Sequence, residues 1–155
     1  MGYDMSGTVT IEPPLNFKEI RKAQNVALNL LTPKSLAARH ATPDSVFADY
    51  MPLKLRIDEF DRETDDGVLR VRQAEVLVPS FDSNASLRYD MTTLVNGLRN
   101  ALPGHLWEGT IVAVHEERAY AEKLVVDAEG SRTVKGTVFL RWEGESGEIP
   151  LDSIL

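Results

Sequence analysis

The chain contains no cysteine, which removes thiol nucleophiles, thiolate metal sites and disulfides, and points to a reducing compartment. No apolar run reaches the roughly 18 residues that a membrane span requires, and no charged-then-apolar leader opens the sequence. A cytoplasmic protein is therefore expected. The phosphate-binding glycine loop and the dinucleotide fingerprint are also missing. Ser146 sits in Gly144-Glu145-Ser146-Gly147, which lacks the G-x-S-x-G spacing of a strained nucleophile elbow and has no strand-then-helix pattern around it, and reads as a turn serine. The three histidines, His40, His105 and His115, are far apart, and none stands at the i, i+4 spacing of a zinc pair. No catalytic residue, metal ligand or cofactor is assigned.

The charge balance is acidic, with 24 Asp and Glu against 17 Lys and Arg and a net charge of -7. Such a chain repels a phosphate backbone in general, which argues against nucleic acid as a partner. At 155 residues it fits a single domain that buries roughly two thirds of its unfolded surface, so neither a disulfide nor a metal is needed to hold it. The start, Met1-Gly2-Tyr3-Asp4-Met5-Ser6, matches the loose N-myristoylation pattern, which is short enough to recur by chance.

The clearest pattern lies between Tyr89 and Trp142. Asp90 stands as an N-cap, Tyr89 and Leu94 stand at staple spacing, and Met91, Leu94, Val95, Leu98 and Leu102 recur at helical intervals. Pro103-Gly104 stops that helix. Strands follow over Trp107–His115, Tyr120–Val126 and Thr133–Trp142, with connections short enough for an antiparallel meander. Nearer the start, Ser6 to Glu12 alternates as a half-buried strand that Pro13-Pro14 ends. Asn16 and Glu19 then form a capping box for a helix whose buried stripe is Phe17, Ile20, Ala23, Ala27 and Leu31. Residues 34–52 form an insertion-like connection, where Thr42-Pro43-Asp44 predicts a short helical turn over Ser45–Tyr50. Residues 144–155 form a tail whose Ile149, Leu151, Ile154 and Leu155 are candidates to dock. The expected fold is α+β: a mainly antiparallel sheet with two helices on one face, a ferredoxin-like βαββα start and a C-terminal β-meander.

Between the helices, Leu53 to Val78 reads as a long hairpin with Asp66-Gly67 as its two-residue turn. That turn predicts Glu63 facing Arg70, Asp61 facing Arg72, Ile57 facing Val76 and Leu55 facing Val78. Phe60, Leu69 and Val71 fall on the other face, expected to twist over the body because monomers seldom leave such strips bare. Exposed instead, they form a partner-binding strip beside Asp61, Glu63, Asp65 and Asp66. Asp61, Glu63, Asp65 and Gly67 resemble a calcium loop only in part: its sixth position requires glycine and is Asp66, and its twelfth requires glutamate and is Arg72. The other candidate for chemistry is His115 followed by Glu116-Glu117, a base beside carboxylates.

Met1-Gly2-Tyr3, Ser6-Gly7 before a strand ending Pro13-Pro14-Leu15, the helix closing on Pro103, and Leu106–Gly109 followed by Glu116-Glu117 together resemble a group of small bacterial and bacteriophage proteins of no assigned activity. The resemblance covers both ends of the chain and is weakest over residues 34–52. It implies a bacterial or phage cytoplasm and carries over no catalytic residue. The functional expectation is a non-enzymatic binding or regulatory protein whose partner is another protein. An enzyme assembled from scattered residues and a phage structural or assembly protein are the alternatives.

Overall fold

The computed structural model describes residues 4–31, 39–80, 91–115 and 120–153. Strand β1 (Asp4–Leu15) sits inside the sheet, and every other large element is placed by reference to it. Along one edge it pairs antiparallel with β4 (Leu106–His115), from Asp4 opposite Val114 to Glu12 opposite Leu106. Along the other it pairs with β3 (Gly67–Pro79), which in turn carries β2 (Leu53–Thr64). Strands β5 (Tyr120–Asp127) and β6 (Gly130–Thr137) extend the sheet beyond β4, giving the order β2-β3-β1-β4-β5-β6. β1 runs through Pro13-Pro14 to Leu15, further than the prolines predict. Its pairing with β3 is interrupted there, between Thr10 and Leu15.

Helix α1 (Phe17–Leu30) begins at the capping box read from the sequence: Asn16 Oδ1 accepts from the Glu19 amide at 2.9 Å, and the Asn16 amide donates to Glu19 Oε1 at 3.2 Å. Ile20, Ala23, Ala27 and Leu31 are buried as expected, joined by Gln24, a polar residue on the same side. Phe17 departs from the expected stripe and is 54% exposed, because it opens the helix's first turn and its ring lies under Arg72, 5.5 Å from the guanidinium carbon. In the connection, Thr42 and Ser45 exchange amide-to-hydroxyl hydrogen bonds before the short helix α2 (Val46–Tyr50). Val46 and Phe47 are buried and anchor it.

Helix α3 (Met91–Ala101) buries Met91, Leu94, Val95 and Leu98, with Leu102 after its end, as the periodicity requires. The expected cap, Asp90, and the staple residue Tyr89 lie outside the described residues. α1 and α3 pack side by side on one face of the sheet. Arg99 fixes α3 to the β5–β6 turn by donating to Asp127 O at 2.8 Å and Ser131 Oγ at 3.1 Å. Beneath the helices lie Val9 and Ile11 of β1, Trp107 and Ile111 of β4, Leu124 and Val126 of β5, and Leu55 and Leu77 of the hairpin base. This is an α+β fold with one core layer.

The final expected strand divides. Tyr120 of β5 pairs with Thr137, and residues past Thr137 pair with no strand of the large sheet among the described residues. Instead β7 (Phe139–Leu140) pairs with β8 (Ile149–Pro150), and the Leu151 amide donates to Val138 O at 2.7 Å. The tail thus forms its own small sheet, followed by a 3-10 turn over Leu151–Ser153. Ile154 and Leu155 lie outside the described residues.

Two glycines let β1 and β4 approach closely. A Cβ on Gly109 (φ +154°) would lie 2.1 Å from Thr8 O, and one on Gly7 (φ +107°) 2.1 Å from Thr110 O. Gly104 also has positive φ, at +88°, but nothing lies within 4 Å of its missing Cβ. Gly104→Ala should therefore lose only about 1–2 kcal/mol of conformational preference. Gly109→Ala should lose more than about 3 kcal/mol, since a backbone clash adds to the strain. Urea unfolding of the two variants checks this, and equal losses would show that the strands separate easily.

Candidate functional site

The hairpin β2–β3 is built on an Asp65-Asp66 turn, with Thr64 opposite Gly67, and not on Asp66-Gly67. Asp65-Asp66-Gly67 offers two overlapping two-residue turns. Here Gly67 takes φ +136° as the first residue of β3, and Thr64 Oγ1 donates to its carbonyl at 2.9 Å. Moving the turn by one residue moves every cross-strand partner by two. Glu63 faces Val68 instead of Arg70, Asp61 faces Arg70 instead of Arg72, and Ile57 faces Ala74 instead of Val76. An even shift keeps each side chain on its face, so the expected segregation of charge from apolar residues survives. Glu75 is then an extra residue on β3. It takes back one of the two residues of shift, so that at the base Leu55 faces Leu77, one residue from the expected Val78.

Charged residues occupy the helix side of the outer hairpin. Arg70 donates to Glu59 Oε2 at 3.0 Å and to Asp61 Oδ1 at 3.3 Å, and Arg72 Nε donates to Glu59 Oε1 at 2.7 Å. Hydrogen bonds from Arg70 and then Arg72 hold the Glu59 carboxyl below the usual glutamate range, while Glu59 and Asp61 hold the Arg70 guanidinium in its protonated form. Two arginines thus balance Glu59 and Asp61. Glu63, Asp65 and Asp66 at the tip join no ion pair among the described residues and carry the hairpin's net negative charge.

Phe60 and Val71 face each other on the opposite, helix-free side, with Leu69 beside them across from Arg62. Phe60 is 43% exposed and Leu69 56% exposed, whereas Val71 is half-buried. The outer hairpin does not fold over the body: every residue from 59 to 70 is exposed, because buried side chains stop at Leu55 on β2 and Ala74 on β3. Val68, which alternation assigned to the charged face, is the most exposed of these at 64% and adds an apolar contact at the tip. The structure therefore brings Phe60, Leu69, Val71, Asp61, Glu63, Asp65 and Asp66 together on one projection, apolar on one face and acidic at the end.

The histidine candidates behave differently. The His105 side chain is 5% exposed, with Nδ1 donating to Pro13 O and Nε2 bonded to Glu19 Oε2. It ties the end of β1 to the first turn of α1 and the start of β4, and both ring nitrogens are engaged. No spacing rule finds this contact, since its partners are 86 and 92 residues away in sequence. His115 ends β4, and Glu116 and Glu117 lie outside the described residues. Among the described residues no three acids or histidines converge to hold a metal, and no helix is long and apolar enough to cross a membrane.

An α+β protein with a two-faced projecting hairpin is what these features define. A family model matches residues 1–151, and the chain belongs to that family of unknown function, DUF6205. Neither a curated protein nor a solved structure matches it.

The arginine pairing has a direct test. Glu59's folded value is lowered, so the ion-pair contribution is intact above the ordinary glutamate range, about 4.3, and fades only as pH falls through the lowered value. Carboxyl-carbon NMR should show Glu59 ionising below that range, and R70Q combined with R72Q should return it there. An unchanged midpoint in the double variant would separate Glu59 from both arginines.

Proposed function

We propose that this protein is a non-enzymatic binding protein that recognises another protein through the β2–β3 hairpin. The observation that carries this reading is the exposure of Phe60, Leu69 and Val68 on a projection that contributes nothing to the core. Isolated exposed hydrophobics need no explanation, but Phe60 and Leu69 on one face of a ribbon exposed throughout residues 59 to 70 form a surface suited to burial against a partner, and Val68 adds an apolar side chain at the tip on the other face. Unpaired acids at the tip supply long-range attraction to a basic patch, and apolar contact follows once the hairpin is seated. This division of labour makes association rates sensitive to salt, while dissociation depends on Phe60 and Leu69.

Cysteine-free composition and the likeness to bacterial and bacteriophage proteins support a bacterial or phage cytoplasm as the setting. In a phage the partner would be a host protein, and a basic surface that otherwise meets nucleic acid has the matching charge. The test is a variant with both Phe60→Ser and Leu69→Ser, used as bait beside the unaltered protein in purification from native cells. Each exposed substitution should change stability by only about 0.5 kcal/mol, and the principal partner should lose at least about tenfold in affinity, or 1.4 kcal/mol. A partner retained at full affinity by the variant would place the contact elsewhere.

A further inference from the structure

The sheet's two irregularities meet at one point. Between Thr10 and Leu15 the β1–β3 ladder breaks, between Arg56 and Ile57 the β2–β3 ladder breaks, and Glu75 is the residue of β3 set aside by both. Bulges re-aim side chains and recur beside binding sites. Here they open a groove of about 270 Å³ on the helix-free face, at the root of the hairpin, lined by Thr8, Thr10, Glu12, Arg56, Glu75 and Val76. Val76 is 5% exposed and gives the groove an aliphatic floor, and Thr10 is held by donating from Oγ1 to Glu108 O at 3.0 Å.

Arg56, Glu12 and Glu75 share this groove, yet none of them forms an ion pair with any described residue. On the hairpin a few residues away, Arg70 and Arg72 are both closed onto carboxylates. The groove therefore keeps one cation and two anions apart around an apolar floor, with a net charge of one negative unit. We propose that it binds a free basic amino acid, lysine or arginine. Arg56 takes the α-carboxylate, the two glutamates take the α-ammonium and the side-chain cation, and the alkyl stem lies on Val76. Such a ligand brings one net positive charge and balances the groove. A small amino acid suits a volume just below the roughly 300 Å³ at which pockets for drug-sized ligands begin. Because the charged groups are exposed, a dissociation constant of about 1 mM is expected. This inference is independent of the partner surface, and either can fail without the other.

Amide NMR titration of the full chain with L-lysine and L-arginine at constant ionic strength tests it. Saturable shifts are expected at Thr8, Thr10, Glu75 and Val76, with norleucine, which lacks the side-chain cation, and cadaverine, which lacks the carboxylate, each at least about tenfold weaker. R56Q should weaken lysine binding without changing that of cadaverine, whereas E12Q and E75Q should weaken both. No saturable shift by about 10 mM, shifts confined to other residues, cadaverine binding as tightly as lysine, or unchanged lysine binding in R56Q and E75Q would each overturn the proposal. The wild-type spectrum away from the groove verifies that each variant is folded.

Discussion

Everything in this fold is referred to the close backbone approach of β1 and β4. Nine residues of β1 pair without interruption from Asp4 to Glu12, and Gly7 and Gly109 leave the room that any side chain would take. This register sets Val9 and Ile11 beside Trp107 and Ile111 on a single face, where α1 and α3 cover them. β3 then joins the other edge of β1, where the pairing is irregular. The sheet thus has a regular half, β1-β4-β5, under the helices and a distorted half where the hairpin leaves the body. His105 locks the junction, joining the end of β1 at Pro13 to α1 at Glu19.

The hairpin's freedom follows from where the core stops. Leu53, Leu55, Ala74 and Leu77 are buried, and from them toward the tip no side chain of β2 or β3 is buried. Ladder hydrogen bonds and the Glu59, Asp61, Arg70 and Arg72 network keep the two strands together, without fixing them to the body. Phe17 under Arg72 is the contact that links this network to α1. A two-stranded ribbon is marginal by itself, so its stability is borrowed from the base. Its apolar strip continues the helix-free face of the sheet, where the groove at Arg56 and Glu75 also lies.

Local rules made much of this legible. The capping box at Asn16 and Glu19, the stripe from Met91 to Leu102, the Pro103-Gly104 stop and the turn at Thr42 depend on neighbours within four residues, and each appears as the spacing requires. Non-local choices were hidden. Asp65-Asp66-Gly67 contains two possible turns, and only pairing along the whole hairpin, with Glu75 extruded, selects between them. Whether Phe60 and Leu69 would be covered depended on how far the body reaches, which periodicity does not encode. The split of the last strand at Val138 depended on the pairing of Phe139-Leu140 with Ile149-Pro150, ten residues on. The groove arises from two interruptions in different ladders, so no stretch of sequence marks it.

That the hairpin is a free projection on a β1-centred body is the claim on which the functional reading depends. Native-state amide exchange measures it residue by residue, since core strands open only with global unfolding whereas projecting ribbons open locally. Hydrogen-bonded amides of Val9, Ile11, Ile111 and Leu77 should exchange at the global limit, and those between residues 59 and 70 should exchange faster by at least about a hundredfold. Equal protection across β1 and the outer hairpin would contradict the account, because it would require the hairpin to unfold only with the core.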